Sequence, residues 1–237
     1  MLTNARSILK KVDDLKARIE EENPDIVGIT ETWLNSAILD NELHIDNYNI
    51  IRKDRCDKKK GGGVMLMIKQ GIGVEELDSN ENTESIWCKI ENLSNNICLG
   101  LCYRPPNSSN EYNSLLCDEI KQFTSKNSVI LGDFNYPDID WEAYSGNSTS
   151  EEFRDICLDR FLHQHVHDPT RGENILDLVL STSYSLVSGV SVTSPLGNSD
   201  HAVISFDIAF CNQHKLNKRK APNVYKADFL TIRQHEV

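Results

Sequence analysis

The sequence predicts an α/β protein built on mixed β-sheet. Two observations carry this expectation. Segments with helical spacing fall between strand-like apolar runs, and several of those runs follow one another closely enough to pair as hairpins. The first pattern excludes an all-helical chain, and the second disfavours a purely parallel sheet.

Taken in order, Ile8, Val12, Leu15 and Ile19 repeat at helical spacing, and Asn23 with Pro24 stops that helix. DIVGIT reads as a buried strand ending at Glu31. The glycines Gly61 to Gly63 precede VMLMI, another strand. IWCKI and ICLGLCY form a neighbouring pair across the turn-forming stretch ENLSNN. Tyr112, Leu115, Leu116, Ile120 and Phe123 mark a second amphipathic helix after PPNSSN. SVILGDFN is a strand running into a loop. Phe153, Ile156, Cys157 and Phe161 mark a third helix, opened by Ser148, Thr149 and Ser150 with Glu151 and Glu152 in its first turn. ILDLVLS, LVSGVSV and HAVISFDIAF are expected to close one domain over residues 1–210. Beyond it, residues 211–237 read as a polar, basic linker or tail.

The 237 residues suffice for one sizeable core, and 39% hydrophobic with 26% charged residues is an ordinary globular composition. No apolar run approaches the ~20 residues of a membrane helix. The N-terminal stretch lacks the order of a secretory signal, so the expected location is nuclear or cytoplasmic, with no membrane partner. Seven cysteines, an odd number without CxxC spacing, read as buried thiols in a reducing compartment. The net charge of −11 weighs against a nucleic-acid partner. However, metal sites need carboxylates, and the basic residues are clustered: Arg52, Lys53, Arg55, Lys58, Lys59 and Lys60, then Lys215, Lys218, Arg219 and Lys220. A solvated loop explains either cluster equally well. His163, His165 and His167 do not share a helix face at their spacing. They read as a helix end rather than a metal site.

Strand after strand ends in a residue able to hold a metal or a phosphate. DIVGIT ends in Glu31, ICLGLCY in Tyr103 followed by Arg104, and VILG in Asp133 with Asn135 beyond. Ser199, Asp200 and His201 precede the last strand. Strand ends on one side of a sheet converge on a cleft. There, carboxylates bind a divalent cation, amide and phenol donors meet phosphate oxygens, and a histidine or carboxylate manages protons. Read singly, Glu31 is compatible with a turn cap, Asp133 with an Asx turn, and Asp200 and His201 with a surface pair. Asp177 is different. A carboxylate between Leu176 and Leu178 is costly unless paired, and a histidine would satisfy it.

Seven phrases in order resemble a family: TNARSI, ITETWL, RKDR with GGGV, CYRPPN, GDFNYPDIDW, PTRGENILDLVLS and SPLGNSDH. They are similar to the endonuclease/exonuclease/phosphatase superfamily, which includes deoxyribonuclease I and the apurinic/apyrimidinic endonucleases. The finer resemblance is to endonuclease domains of jockey- and chicken-repeat-type non-LTR retrotransposons, over roughly residues 3 to 210. It implies a sandwich of two packed mixed sheets flanked by helices, and a DNA-nicking enzyme leaving a 3′-hydroxyl and a 5′-phosphate for target-primed reverse transcription. By this resemblance Glu31 is the main metal carboxylate, with Asn4 and Asp200 as further ligands for magnesium, manganese being the alternative. Asp133 orients or deprotonates the attacking water, Asn135 stabilises the oxyanion, Tyr103 donates to the phosphate, and Asp177 orients the catalytic His201. Arg52, Arg55, Arg104 and Ser199 are the expected DNA contacts, and the hairpin from Ser191 to Gly197 is expected to probe a groove. DNA is the implied partner, with a reverse transcriptase module and element RNA beyond it, since the tail resembles the start of a connector to such a module. Two departures stand out. Arg6 replaces an aspartate of the apurinic/apyrimidinic enzymes, which argues against abasic-site repair. The first strand is also shortened, which predicts a weaker sheet centre and a site at risk of misassembly. Related activities of the superfamily, such as phosphatases and lipid phosphodiesterases, or a catalytically inert DNA-binding copy, are the alternatives.

Overall fold

The computed structural model describes residues 1–43, 45–55, 60–91 and 96–209. The expected tail, Cys56, Lys58, Lys59 and Cys211 therefore lie outside the described residues. Among the described residues, twelve strands form two six-stranded sheets. The first sheet holds β1 (Leu2–Asn4), β2 (Ile26–Thr30), β3 (Tyr48–Lys53), β4 (Val64–Lys69), β11 (Val187–Thr193) and β12 (Val203–Ile208), in the order β11-β12-β1-β2-β4-β3. The second holds β5 (Val74–Leu77), β6 (Glu84–Ile90), β7 (Ile97–Tyr103), β8 (Ser128–Asp133), β9 (His163–Gln164) and β10 (Asp177–Ser181), in the order β5-β6-β7-β8-β10-β9. Within each sheet one central pair is parallel, β1 with β2 and β7 with β8. The mixed-sheet expectation holds.

Strand alternation builds the layers. In β7, Ile97, Leu99, Leu101 and Tyr103 join Val129, Leu131 and Val179 of the neighbouring strands in facing the other sheet, where they meet Leu2, Leu66 and Ile204. Cys98 and Cys102 face outward with Trp87, Ile130, Leu178 and Leu180, under the helices α2 (Asn110–Phe123) and α3 (Glu151–Asp159). Val27, Ile29, Met65 and Met67 are the outward set of the first sheet and pack with Leu15 of α1 (Val12–Glu22). Full burial of one such aliphatic side chain contributes about 1.5–3 kcal/mol. The five cysteines Cys88, Cys98, Cys102, Cys117 and Cys157 are buried free thiols.

Several elements differ from the sequence reading. The first helix begins at Val12, one turn after Ile8. Before it, the Lys11 ammonium folds back onto the carbonyls of Ala5, Arg6 and Ser7, so the chain turns there instead of coiling. Ser150 precedes α3 but turns its hydroxyl to Asp138 at 2.6 Å. His163 to His167 is not a helix end, because α3 stops at Asp159 and an edge strand follows. Just past that strand, buried His165 bonds Ser181 at 2.7 Å and stacks on Tyr184. The β11–β12 connection is anchored to α1, while Ser194, Pro195 and Gly197 stay exposed. Arg18 holds the Ser194 carbonyl at 3.1 Å, and Leu196 is buried in the layer under α1. The shortened first strand has three residues, yet it pairs with β2 on one side and β12 on the other.

Candidate active site

The sheet registers bring the strand-end residues together. In the second sheet, Asp133 is the Cα partner of both Tyr103 in β7 and Asp177 in β10. All three continue the inward-facing rows of their strands. Asp177 opens β10, so the carboxylate stands at the sheet's rim rather than within an apolar run. In the first sheet, Asn4 is the partner of Thr30, and Glu31 follows at once. Two cross-sheet contacts close the rim. Asn4 Nδ2 donates to Asp133 Oδ2 at 2.8 Å, and the Tyr103 hydroxyl donates to Glu31 Oε1.

The GDFN turn has a backbone that few residues tolerate. Gly132 has φ 147°, and a Cβ there would lie 1.8 Å from the Cys102 carbonyl oxygen. Three residues on, Asn135 is left-handed at φ 50°, and its N–H donates to Asp133 Oδ1 at 3.1 Å. Asp133 is thus held at both oxygens. Glu31 (φ 53°), Trp33 (φ 56°) and Arg6 (φ 41°) are left-handed as well. Such conformations cost about 1–3 kcal/mol each and cluster where function fixes the backbone.

His201 Nδ1 lies 2.7 Å from Asp177 Oδ2, and its Nε2 lies 4.0 Å from Asp133 Oδ2. Asp177 is fully buried, and its other oxygen has no hydrogen-bond partner among the described residues. Burial raises the Asp133 carboxyl well above the aspartate range, and the nearby Asp177 charge adds to this, against the opposing pull of His201 and Asn4. Burial would lower His201, but the bond and charge of Asp177 outweigh it and raise the imidazole. The ligand atoms of Asp133, Asp177 and His201 all lie within 4.8 Å of one another.

The donor set fits a hard divalent cation. Glu31, Asp133 and the Asn4 carbonyl oxygen are oxygen donors at one opening. Two carboxylates buried side by side, one with an orphaned oxygen, favour added positive charge. Glu31 also accepts from the Trp33 indole N–H through its second oxygen. The opening has a volume of about 220 Å³, and its lining includes Asn4, Glu31, Tyr103, Asp133, Asn135 and His201.

The remaining sequence-predicted residues are placed differently. Asp200, expected beside the metal, is ion-paired to Arg6 at 2.9 Å and to Arg171 at 2.8 Å. Partial burial would raise its carboxyl, but the Arg6 bond and the Arg171 charge hold it below the ordinary value. Ser199 is buried; its hydroxyl donates to the Asn4 carbonyl at 2.7 Å and accepts from the His201 N–H at 3.3 Å, so it ties the histidine to β1. Arg104 lies beneath the site. Its guanidinium bonds Asn113 Oδ1 at 2.8 Å and the Asn135 carbonyl at 3.0 Å, and stacks over Tyr136. The Asn135 amide in turn donates to the Arg104 carbonyl at 2.8 Å rather than into the opening. Arg52 bonds the Ile38 carbonyl and pairs with Asp40, and Arg55 pairs with Glu84 at 2.6 Å. In the structure these three arginines are engaged by carboxylates and carbonyls of the chain itself.

The sequence reading passed over a buttress behind Tyr103. Burial raises the Glu84 carboxyl, which nonetheless receives the Gly63 N–H and the Arg55 guanidinium. Tyr112 donates to the Tyr103 carbonyl at 2.8 Å and accepts from the Glu84 N–H at 2.9 Å. Trp33 N–H meets the Gly62 carbonyl at 2.9 Å. Trp33 sits in the ETWL phrase, so its neighbourhood to Glu31 was the available signal. Lys60, also on the opening, stands in the sequence reading only as part of the basic cluster, and Arg171 only as a letter of the PTRGENILDLVLS phrase.

Residues 97–205 match the family described as endonuclease-reverse transcriptase. No curated protein matches the chain in sequence. Among solved structures, the endonuclease domain of TRAS1, a telomere-specific non-LTR retrotransposon, matches with a TM-score of 0.68 at 16% identity, over 87% of this chain and 96% of that one. The AP endonuclease LMAP of Leishmania major gives 0.72 at 15% identity, over 88% and 86%. An AP endonuclease of Archaeoglobus fulgidus gives 0.63 at 16% identity, over 87% and 97%. These likenesses are of fold: the two-sheet sandwich is the one these nucleases share.

Proposed function

We propose that this chain is a member of the endonuclease/exonuclease/phosphatase superfamily and acts as a divalent-metal-dependent endonuclease that nicks DNA. The observation that carries this reading is a single opening lined by Asp133, His201 and Glu31, with Asp133 held by Asn4 and Asn135 and His201 by Asp177.

Glu31, Asn4 and Asp133 would hold the cation. Magnesium, or manganese as the alternative, supplies Lewis-acid polarisation of a non-bridging phosphate oxygen and charge neutralisation. Asp133 accepts a proton from the attacking water; burial raises its carboxyl in the metal-free fold, and the charge of a bound cation would hold it deprotonated at neutral pH. The water oxygen bonds to phosphorus, the bond from phosphorus to the 3′ oxygen breaks, and that oxygen takes a proton from solvent water and leaves as a hydroxyl. Tyr103 and His201 donate toward the equatorial oxygens, where charge develops. Asp177 keeps the imidazole in one orientation through Nδ1. A 3′-hydroxyl at a nick is a primer end, so the reading extends to initiation of reverse transcription beside a polymerase module.

The test is conversion of supercoiled plasmid to relaxed circles by purified protein, with Mg²⁺ and then with chelator. Nicking that needs metal and disappears in His201→Ala supports the reading. Folded wild-type protein that leaves the plasmid intact in Mg²⁺ and Mn²⁺ overturns it.

A further inference from the structure

The chain carries a net charge of −11, and three of the four residues expected to meet DNA are arginines occupied within the fold. Something else must meet phosphate at the mouth of the opening. Arg6 and Arg171 are both half-exposed and both line that opening. They come from distant parts of the chain and converge on one oxygen, Asp200 Oδ2. Arg6 reaches it through Nη1 at 2.9 Å, and Arg171 through Nε at 2.9 Å and Nη2 at 2.8 Å. Two guanidiniums against one carboxylate leave one positive charge. Each guanidinium has about five N–H donors, and neither has a further side-chain partner among the described residues.

The backbone around the three residues is fixed. Arg6 N–H is held by Asn4 Oδ1 at 3.1 Å and the Arg6 carbonyl by the Lys11 ammonium at 3.0 Å. Arg171 is bridged to Asn174, and Thr170 beside it accepts the Ala202 N–H at 2.8 Å. Asp200 stands between Ser199, bonded to β1, and His201, bonded to Asp177. Convergent, preorganised guanidiniums with spare donors are suited to a phosphodiester oxygen pair.

We propose that Arg6 and Arg171, drawn together by the shared carboxylate of Asp200, form a clamp for a backbone phosphate of the DNA substrate. The proposal rests on the nuclease reading for the identity of that substrate. Asp200 is then the tether of the clamp rather than a ligand of the cation.

Metal-free binding separates the two roles. A short fluorescein-labelled duplex is titrated with the full chain by anisotropy in EDTA, over a series of KCl concentrations. Loss of each guanidinium contact should weaken binding roughly tenfold and flatten the slope of log affinity against log salt by about 0.9. The double variant Arg6→Gln, Arg171→Gln should therefore lose both contacts. Arg171→Lys keeps the charge without the fork and should fall between it and wild type. Asp200→Asn should bind more tightly than wild type, because it leaves the pair with both charges. Lys89→Gln, which removes a cation paired with Glu75 on the far part of the second sheet, controls for net charge and should leave the slope unchanged. Circular dichroism melting confirms that each variant is folded.

The clamp is overturned by an unchanged slope in the folded double variant, by a slope that Lys89→Gln lowers equally, or by no metal-free binding in wild type. It is also overturned if Asp200→Asn binds as wild type without metal and only raises the Mg²⁺ needed for nicking. Wild type that shows the arginine-dependent slope yet does not nick overturns the nuclease reading and leaves the clamp standing. Wild type that nicks while the double variant binds unchanged overturns the clamp alone.

Discussion

His201 Nδ1 sits 2.7 Å from a carboxylate oxygen of Asp177, a residue with no exposed surface. The acceptor fixes which imidazole nitrogen faces the opening and favours the charged ring. Asp177→Asn keeps the shape and removes the charge. The expected result is a loss of about 10²–10⁴ in kcat, the range for a misplaced general acid–base group. KM should change little, and the His201 titration should move down from its raised position. Plasmid-nicking kinetics and histidine NMR titration check the two halves. An unchanged histidine titration would show that Asp177 does not set the state of the ring.

Stability without metal should fall as pH rises. The folded-state carboxyl of Asp133 is raised by burial and by Asp177, starting from an ordinary value of 3.8. A group raised on folding contributes stability that is fully present below its unfolded pKa and is lost as pH rises through the folded one. His201, also raised in the fold from 6.5, acts in the same direction above that value. Melting temperature in EDTA should therefore decline from mildly acidic to alkaline pH, and Asp133→Asn should flatten part of that decline. Added Mg²⁺ should restore stability on the alkaline side, since it binds the deprotonated site. Nicking follows the opposite limb and is lost in acid as Asp133 becomes protonated.

Glu31 is oriented by two donors, the Tyr103 hydroxyl and the Trp33 indole N–H. Groups that orient a metal carboxylate affect metal affinity by about 10–100-fold. Trp33→Phe keeps an aromatic ring beside Gly61 and removes only the N–H. It should shift the Mg²⁺ concentration for half-maximal nicking upward while leaving the rate at saturating metal within a few-fold. Glu31→Gln should instead fail to reach the wild-type rate at any Mg²⁺ concentration. Calorimetric titration of Mg²⁺ provides the direct reading.

The layers and the rim were legible in the sequence because their signals are local. ICLGLCY alternates on one strand, and Asp177 announces its need for a partner by the apolar residues beside it. His201 was identified as that partner from resemblance, and the geometric reason is that Ser199 ties it to β1, across from Asp177. The edge strands β3 and β5 were passed over, since TyrAsnIleIleArgLys and ValGluGluLeu mix polar and apolar residues without one buried face. The arginines were the hardest to read. A guanidinium that binds a carbonyl in its own fold has the same sequence as one that binds phosphate. Only tertiary placement separates Arg104, stacked on Tyr136, from Arg171, which faces the opening.

Arg104 offers a final contrast between support and contact. Its guanidinium is buried against Asn113, the Asn135 carbonyl and the Tyr136 ring. Removing it orphans buried acceptors, each worth about 1–3 kcal/mol, and loosens the turn that presents Asp133. Arg104→Gln should therefore lower the unfolding free energy by roughly 2–4 kcal/mol. Lower kcat should accompany it, because Asn135 and Asp133 lose their fixed geometry. The salt dependence of metal-free DNA binding should stay as in wild type, because this side chain meets no phosphate. Urea unfolding measures the first effect and anisotropy the last. A flattened salt slope with unchanged stability would reverse the assignment and make Arg104 a DNA contact.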